Sequence, residues 1–229
     1  MNFIQEGFAQ AVTLLIDHDA ATYAAIYATV KASSLSMASS LVLGVPLGYI
    51  LGYLDFRGKK QIRILVDTLL SLPTVFIGLV IYALLTRNGP FGEAGLLFTI
   101  PGIAIGQTIL ALPIVIALSA TAVEAVDRNL RLTLMSLGAN RKQIAFSTLW
   151  EVRLGILAAT VTATGRVLTE VGISLMVGGN IKWHTRTITT AIALETSKGE
   201  FGMGIALGLV LLLIALTINL SLAGLRRRF

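Results

Sequence analysis

Arg166 and Glu170 stand four residues apart inside the otherwise apolar stretch from Leu154 to Val177. At helical spacing they share a face and can pair. A charge in hydrocarbon costs at least about 2.5–3.5 kcal/mol on insertion scales, so each needs a partner or water. Two compatible roles arise: an internal ion pair that holds helices together, or a guanidinium that lines an anion route or closes a gate. Other chemistry is sparse. The chain has no cysteine, which excludes disulfides, thiol catalysis and thiolate metal sites. His18 and His184 are isolated and lack H-E-x-x-H spacing, so no metal site is expected. Lys60 follows Gly58-Lys59, and Tyr53 stands where the first glycine of a P-loop belongs, so no ATP site is expected. No Ser/His/Asp arrangement is placed by motif, so no catalytic residues and no enzyme activity are expected.

The elements that position the pair follow from composition. Of 229 residues, 55% are hydrophobic and 13% charged, against about 25% charged in an ordinary soluble domain. The charges are gathered into short segments, leaving five long apolar runs. These are about Ala32–Tyr53, Ile64–Thr86, Ile100–Val123, Leu154–Val177 and Phe201–Leu225. Each is about 22 to 25 residues, enough at about 1.5 Å per residue to cross a hydrocarbon core of about 30 Å. The expected fold class is an all-α integral membrane protein with five transmembrane helices, short interfacial helices and a short helical segment on the cytoplasmic side. A single domain over residues 1–229 is expected. The alternating ten-residue strands of a barrel are absent.

The formal charge of +6 lies between apolar runs, which points to membrane orientation and excludes a nucleic-acid partner. One side collects Arg57, Lys59, Lys60, Arg63, Arg128, Arg131, Arg141, Lys142, Arg153, Arg226, Arg227 and Arg228. The other has Arg87, Lys182, Arg186 and Lys198, with Lys31 near its border, and acidic Glu6, Asp17 and Asp19. The richer side is expected in the cytoplasm. The N-terminus is then outside and the C-terminus inside, with several crossings between them. Met1 to Gln10 lacks the basic start and apolar core of a cleaved signal peptide, so the first span is expected to direct insertion. Residues 1–20 carry Ile4, Phe8, Val12 and Leu15 at helical spacing and read as an outer interfacial segment.

Ser40, Gly44, Gly48 and Gly52 form a small-residue stripe on the first span. Such a stripe packs closely, either inside the bundle or against a second subunit. Pro46, Pro73 and Pro113 fall in spans one, two and three, where each can kink its helix.

The cytoplasmic segment 126–150 is too patterned for a simple connector. Leu130, Leu134 and Leu137 share a helical face, and Gly138 interrupts it. Asn140 can cap a second short helix, with Gln143 at the capping-box position. Ile144, Phe146 and Leu149 form its apolar side, with Arg141 and Lys142 in its first turn. This stretch resembles the coupling loop of ABC importer permeases. Gly138 and Ala139 match that family, while Leu132, Thr133 and Leu134 replace its Glu-Ala-Ala triplet and Glu151 replaces a later proline.

The outer segment 178–200 opens with Gly178, Gly179, Asn180 and Ile181 and holds the short apolar piece Ile188 to Leu194, which reads as a re-entrant or interfacial helix. Gly-Asn-Ile, shortly after an Arg-x-x-x-Glu pair, resembles the molybdate and tungstate branch of these permeases. The five-span form and the run Glu195 to Gly199 look most like its tungstate permeases. The resemblance implies a permease that imports an oxyanion by alternating access. It implies docking of the ATPase on Gly138, Ala139, Asn140, Arg141 and Lys142. It places the pathway or gate at Arg166, Glu170, Gly178, Gly179 and Asn180. The implied partners are a second copy of the chain, two ATP-binding subunits and an extracytoplasmic solute-binding protein, with membrane lipid around them. No cofactor is expected on this chain, because ATP and Mg²⁺ are used by the partner ATPase. The alternatives are molybdate, a small solute such as methionine, or a secondary transporter. The last requires inverted repeats, and none is evident between the halves.

The charge asymmetry makes a direct prediction. A reporter fused after Phe229 is expected in the cytoplasm and one at Glu93 outside; the reverse pattern in an accessibility assay would invert the topology.

Overall fold

The computed structural model describes residues 3–226. Arg227, Arg228 and the fusion position Phe229 lie outside the described residues, as do the side chains of Arg128, Arg131 and Arg226. Among the described residues the regular structure is helical throughout: α1 (Phe3–Ile16), α2 (Ala20–Tyr53), α3 (Lys59–Leu69), α4 (Thr74–Leu85), a 3₁₀ turn (Gly92–Ala94), α5 (Ile100–Glu124), α6 (Arg128–Ser136), α7 (Arg141–Glu151), α8 (Arg153–Leu168), α9 (Gly172–Gly178), α10 (Ile188–Ser197) and α11 (Phe201–Arg226). Helices α2, α5 and α11 are each long and apolar enough to cross a bilayer. Large apolar side chains such as Val42, Leu212 and Leu220 point outward, while Ala, Ser and Thr crowd the buried positions. That inversion of the soluble pattern suits lipid, where close contact between small residues drives helix association.

Helices α2 and α5 form the central pair. A Cβ on Gly44 would lie 2.8 Å from Val115 Cγ1, one on Gly48 2.7 Å from Ser119 Cβ, and one on Gly52 2.5 Å from the Ala120 carbonyl oxygen. The small-residue stripe therefore packs inside this chain, not against a second subunit. The contacts climb in step along both helices, so α2 and α5 run parallel. The chain between them must recross, and α3 and α4 do this together.

Three spans differ from the sequence expectation. The first begins twelve residues earlier, at Ala20, because Asp19 caps it by accepting from the Thr22 amide at 2.7 Å. Lys31 then sits within α2, its ammonium 5.2 Å from the Tyr27 ring centre. The second span is not continuous: α3 and α4 meet at 96°. Pro73 stands at the α4 N-cap, so it ends one helix and starts another instead of kinking one. Pro46 and Pro113, by contrast, lie inside unbroken helices.

The fourth span is also interrupted. Helices α8 and α9 run antiparallel to α5 in succession: Gly155 packs on Ala122, and Gly178 on Ile103. Between them Thr169 to Val171 leave the helix. A Cβ on Gly172 would meet Thr74 Oγ1 at 3.2 Å, and one on Gly78 would meet Met176 Cβ at 3.2 Å. Helices α4 and α9 thus start side by side and run parallel, so both interruptions lie at one depth.

Helices α1 and α10 complete the half of the bundle away from α6 and α7. Gly7 and Ala11 of α1 are buried, and a Cβ on Gly7 would lie 2.5 Å from Ile205 Cγ2 of α11. Ile4, Phe8 and Val12 face outward. The first helix is therefore docked on the bundle. The apolar piece after the outer loop is α10, packed on α11 and α2 through Ile188, Ala191, Ala25, Leu207 and Val210.

Gly48→Leu is expected to lower stability by about 1–3 kcal/mol or to abolish folding, because backbone as well as side chain blocks the added atoms. Gly208→Ala, which meets nothing within 4 Å, is the matched control. Thermal unfolding in detergent reads the difference; equal melting of the two variants would contradict this packing.

Candidate functional site

The α6–α7 loop is built by local capping. Asp127 starts α6, accepting from the Asn129 amide at 2.9 Å. At its end the Gly138 amide donates to the Met135 carbonyl and the Ala139 amide to the Leu134 carbonyl, both at 3.0 Å. This double closure requires a left-handed residue, and Gly138 supplies it with φ of 79°. A Cβ there would meet nothing within 4 Å, so conformation, not space, calls for glycine. The expected capping box starts α7: Asn140 Oδ1 accepts from the Gln143 amide at 2.9 Å, and Gln143 Oε1 from the Asn140 amide at 2.8 Å.

Arg141 and Lys142 lie exposed in the first turn of α7, where cations oppose the helix dipole. Local stability does not favour them there. The apolar faces only partly match the sequence reading. Ile144 is buried, but Leu137 and Phe146 turn outward with Leu132, Met135 and Trp150.

The paired charges sit at the interruption of the fourth span. Val167 belongs to the same buried cluster as Ala111 and Val115, so Arg166 lies close to the middle of the crossing. Arg166 Nη1 is 3.4 Å from Glu170 Oε2. The two side chains differ sharply in exposure: 44% for Arg166 and 2% for Glu170. Glu170 does more than pair. Its Oε1 accepts from the Ile173 amide at 3.0 Å, capping α9 from within the membrane. Its own carbonyl accepts from Thr189 Oγ1 at 2.9 Å. The carboxylate is thus held by the backbone, while the guanidinium stays partly exposed beside it.

Gly178, Gly179 and Asn180 lie at the other end of α9. A Cβ on Gly178 would lie 2.7 Å from Ile103 Cδ1, so this glycine allows close packing on α5. Gly179 and Asn180 take φ of 70° and 50°, and Trp183 follows with 72°. Such a backbone persists only where its surroundings fix it. Here Arg186 Nε donates to Asn180 Oδ1 at 3.1 Å, and the Thr185 hydroxyl donates to the Gly178 carbonyl. The amides of His184, Thr185 and Arg186 all converge on the Ile181 carbonyl. Arg186 was not singled out from sequence; only its place among six residues after Asn180 signals it. The structure brings Arg166 to Glu170 and Asn180 to Arg186, but leaves the two groups at opposite ends of α9.

The threonine-rich stretch also has a structural role. Thr187 and Thr190 cap α10 reciprocally, and the Ile188 amide donates to Thr29 Oγ1 of α2 at 2.9 Å. Among the described residues no group of three or more metal-ligating side chains occurs.

Glu170→Ala is expected to cost about 1–3 kcal/mol, because the buried Ile173 amide loses its acceptor. Glu170→Gln keeps an acceptor oxygen and should fold better than the alanine variant. Detergent melting of both compares them; equal loss would reject the capping role.

Residues 44–229 match the family described as binding-protein-dependent transport system inner membrane component. The tungstate uptake system permease protein TupB of Campylobacter jejuni is 46% identical over 227 residues, covering 99% of this chain and 95% of that protein. The probable anion ABC transporter permease protein of Haloferax volcanii is 40% identical over 179 residues, covering 76% and 77%. A solved inward-facing MetNI methionine ABC transporter shares the fold, with a TM-score of 0.75 and 18% identity, covering 93% of this chain and 97% of that one. The chain therefore belongs to the inner membrane components of binding-protein-dependent transport systems, the multi-pass permease subunits of ABC transporters.

Proposed function

We propose that the chain is the membrane-spanning subunit of an ATP-driven tungstate importer. The observation that carries the reading is the likeness to the Campylobacter jejuni tungstate permease along nearly the whole of both chains. Two copies would form the pathway. Two ATP-binding subunits would dock on the α6–α7 surface around Gly138, Ala139, Asn140, Arg141 and Lys142. A solute-binding protein would deliver the anion from outside. ATP and Mg²⁺ act in the ATP-binding subunits, whose closure moves the α6–α7 loops and alternates access.

Within this reading Arg166 serves the anion. A fixed positive charge offsets part of the cost of desolvating a dianion at low dielectric. Its position near the middle of the crossing and its open side support that role. Glu170 can release Arg166 without losing its own bond to the Ile173 amide, so the pair can open while α9 stays capped. Gly178, Gly179 and Asn180 shape the outer end of the same route.

The test is uptake of tungstate, molybdate and methionine into vesicles holding the permease with its ATPase and binding protein. ATP-dependent tungstate uptake is expected; uptake of another solute alone would reassign the substrate. Arg166→Gln and Arg166→Gln/Glu170→Gln are expected to fold yet lose most uptake. Arg166→Lys should retain part, since it keeps the charge but not the planar fork. Full uptake by the folded double variant would remove Arg166 from the route.

A further inference from the structure

We infer that Glu124 fastens α3 to the coupling end of α5, so that movement of the α6–α7 loop drives the inner half of the second span. The inference rests on the transport reading above and adds a positioning residue to it. Glu124 is the last residue of α5, and Asp127 caps α6 shortly after it. Its two oxygens go to two cations of α3. Oε1 lies 3.4 Å from Lys59 Nζ, and Oε2 lies 3.4 Å from Arg63 Nη1. Lys59 and Arg63 are one turn apart, so one carboxylate spans both. Arg63 Nη2 also donates to Thr121 Oγ1 of α5 at 2.7 Å, and Lys59 Nζ to the Gly52 carbonyl of α2 at 3.3 Å.

The remaining acids do not make this link. Asp67 is on α3 itself, and Asp55 is in the turn that leads into it. Apolar packing does little to hold α3, since Val66 is its buried side chain while Ile62, Ile64 and Leu65 face outward. Val66 joins Leu51, Ala117 and Ala120 at the inner end of the central helices. The attachment of α3 to α5 is therefore chiefly Val66 plus the bonds of Glu124 and Thr121.

The surroundings give this link a direction. A cavity of about 600 Å³ separates Gly52, Lys59 and Glu124 from Leu130, Leu132 and Met135 of the loop. The loop thus has room to move relative to α2, yet it is joined by the chain to α5. Motion entering at α6 reaches Glu124 directly and passes to α3 through Lys59 and Arg63. From α3 it turns the 96° corner into α4, whose first residues touch Gly172 beside Glu170. Partly exposed ion pairs contribute little to stability, so the network's value is in position.

Two measurements test this. The first is ATP hydrolysed per tungstate imported by the full transporter in vesicles. Glu124→Gln/Thr121→Ala is expected to raise that ratio by about threefold, the scale of a partly exposed charge network. Lys59→Glu/Arg63→Glu/Glu124→Lys, made together with Asp55→Asn/Asp67→Asn so that the new carboxylates meet no like charge, should return it toward the original value. The second needs no substrate. The chain has no cysteine, so spin labels at Ile62→Cys and Leu118→Cys report the α3–α5 distance in the assembled transporter. With only one of the two copies labelled, one fixed distance is expected with and without ATP, broadening once Glu124 and Thr121 are changed. An unchanged ratio and distance in the Glu124→Gln/Thr121→Ala variant would overturn the inference, as would failure of the reversed charges to restore coupling. Absence of tungstate uptake by the unaltered protein would instead sink the substrate reading, and the label pair would still decide this one.

Discussion

Lipid offers no hydrogen-bond partner to a free backbone group, and two of the crossings in this chain are nevertheless broken in mid-membrane. Each break must find its partners inside the protein. At the start of α4 the problem is reduced by Pro73, which has no amide hydrogen to satisfy. At the start of α9 it is met by Glu170, whose carboxylate takes the Ile173 amide. The carbonyl of Glu170 is taken by Thr189, and the first amide of α10 by Thr29. The run of buried threonines thus acts as a set of short donors and acceptors that lets irregular backbone lie at membrane depth. Their hydroxyls replace water that the bilayer excludes.

That arrangement leaves an asymmetry of charge. Glu170 is committed on both oxygens, one to backbone and one to Arg166. A guanidinium carries five N–H donors, and the Arg166 contact at 3.4 Å engages its carboxylate on one side only. The buried acid is held and the cation beside it keeps donors to spare. Under the proposed transport role, such a pair would favour a transient anion over a cation. The preference comes from which member of the pair the fold immobilises, not from net charge, since the pair itself is neutral.

The sequence made the crossings legible because hydropathy reports burial in lipid. It did not show where they break. Pro73 lies in an apolar run, and a count of apolar residues is blind to a 96° turn within it. The residue before a proline is biased away from helix, which was the available signal. The α6–α7 loop was legible in detail, since a capping box and a C-terminal glycine act within a few residues. Glu170 read as a charge needing a partner, but its role as a cap depends on Gly172 starting a new helix, which no local pattern announced. Arg186 and Glu124 were missed for a related reason. Each acts through a partner set by the fold, and Glu124 meets Arg63 across 61 positions of sequence.

The basic residues from which a cytoplasmic side is expected also serve the folded bundle. Lys59 and Arg63 count toward the inner charge excess, yet in the folded protein both are paired with acids. Insertion reads the cations before those pairs exist, and the folded bundle then uses the same side chains to join α3 to α5. Arg141 and Lys142 differ. No acid pairs with them in the described structure, and they sit at a helix end that disfavours cations. One group of inner charges is thus spent within the chain and another is left displayed. The displayed group lies with outward-turned Leu137 and Phe146, so apolar surface and positive charge converge on the face proposed above for the ATP-binding subunit. The paired group lies directly behind it, where force from such a partner would enter the spans.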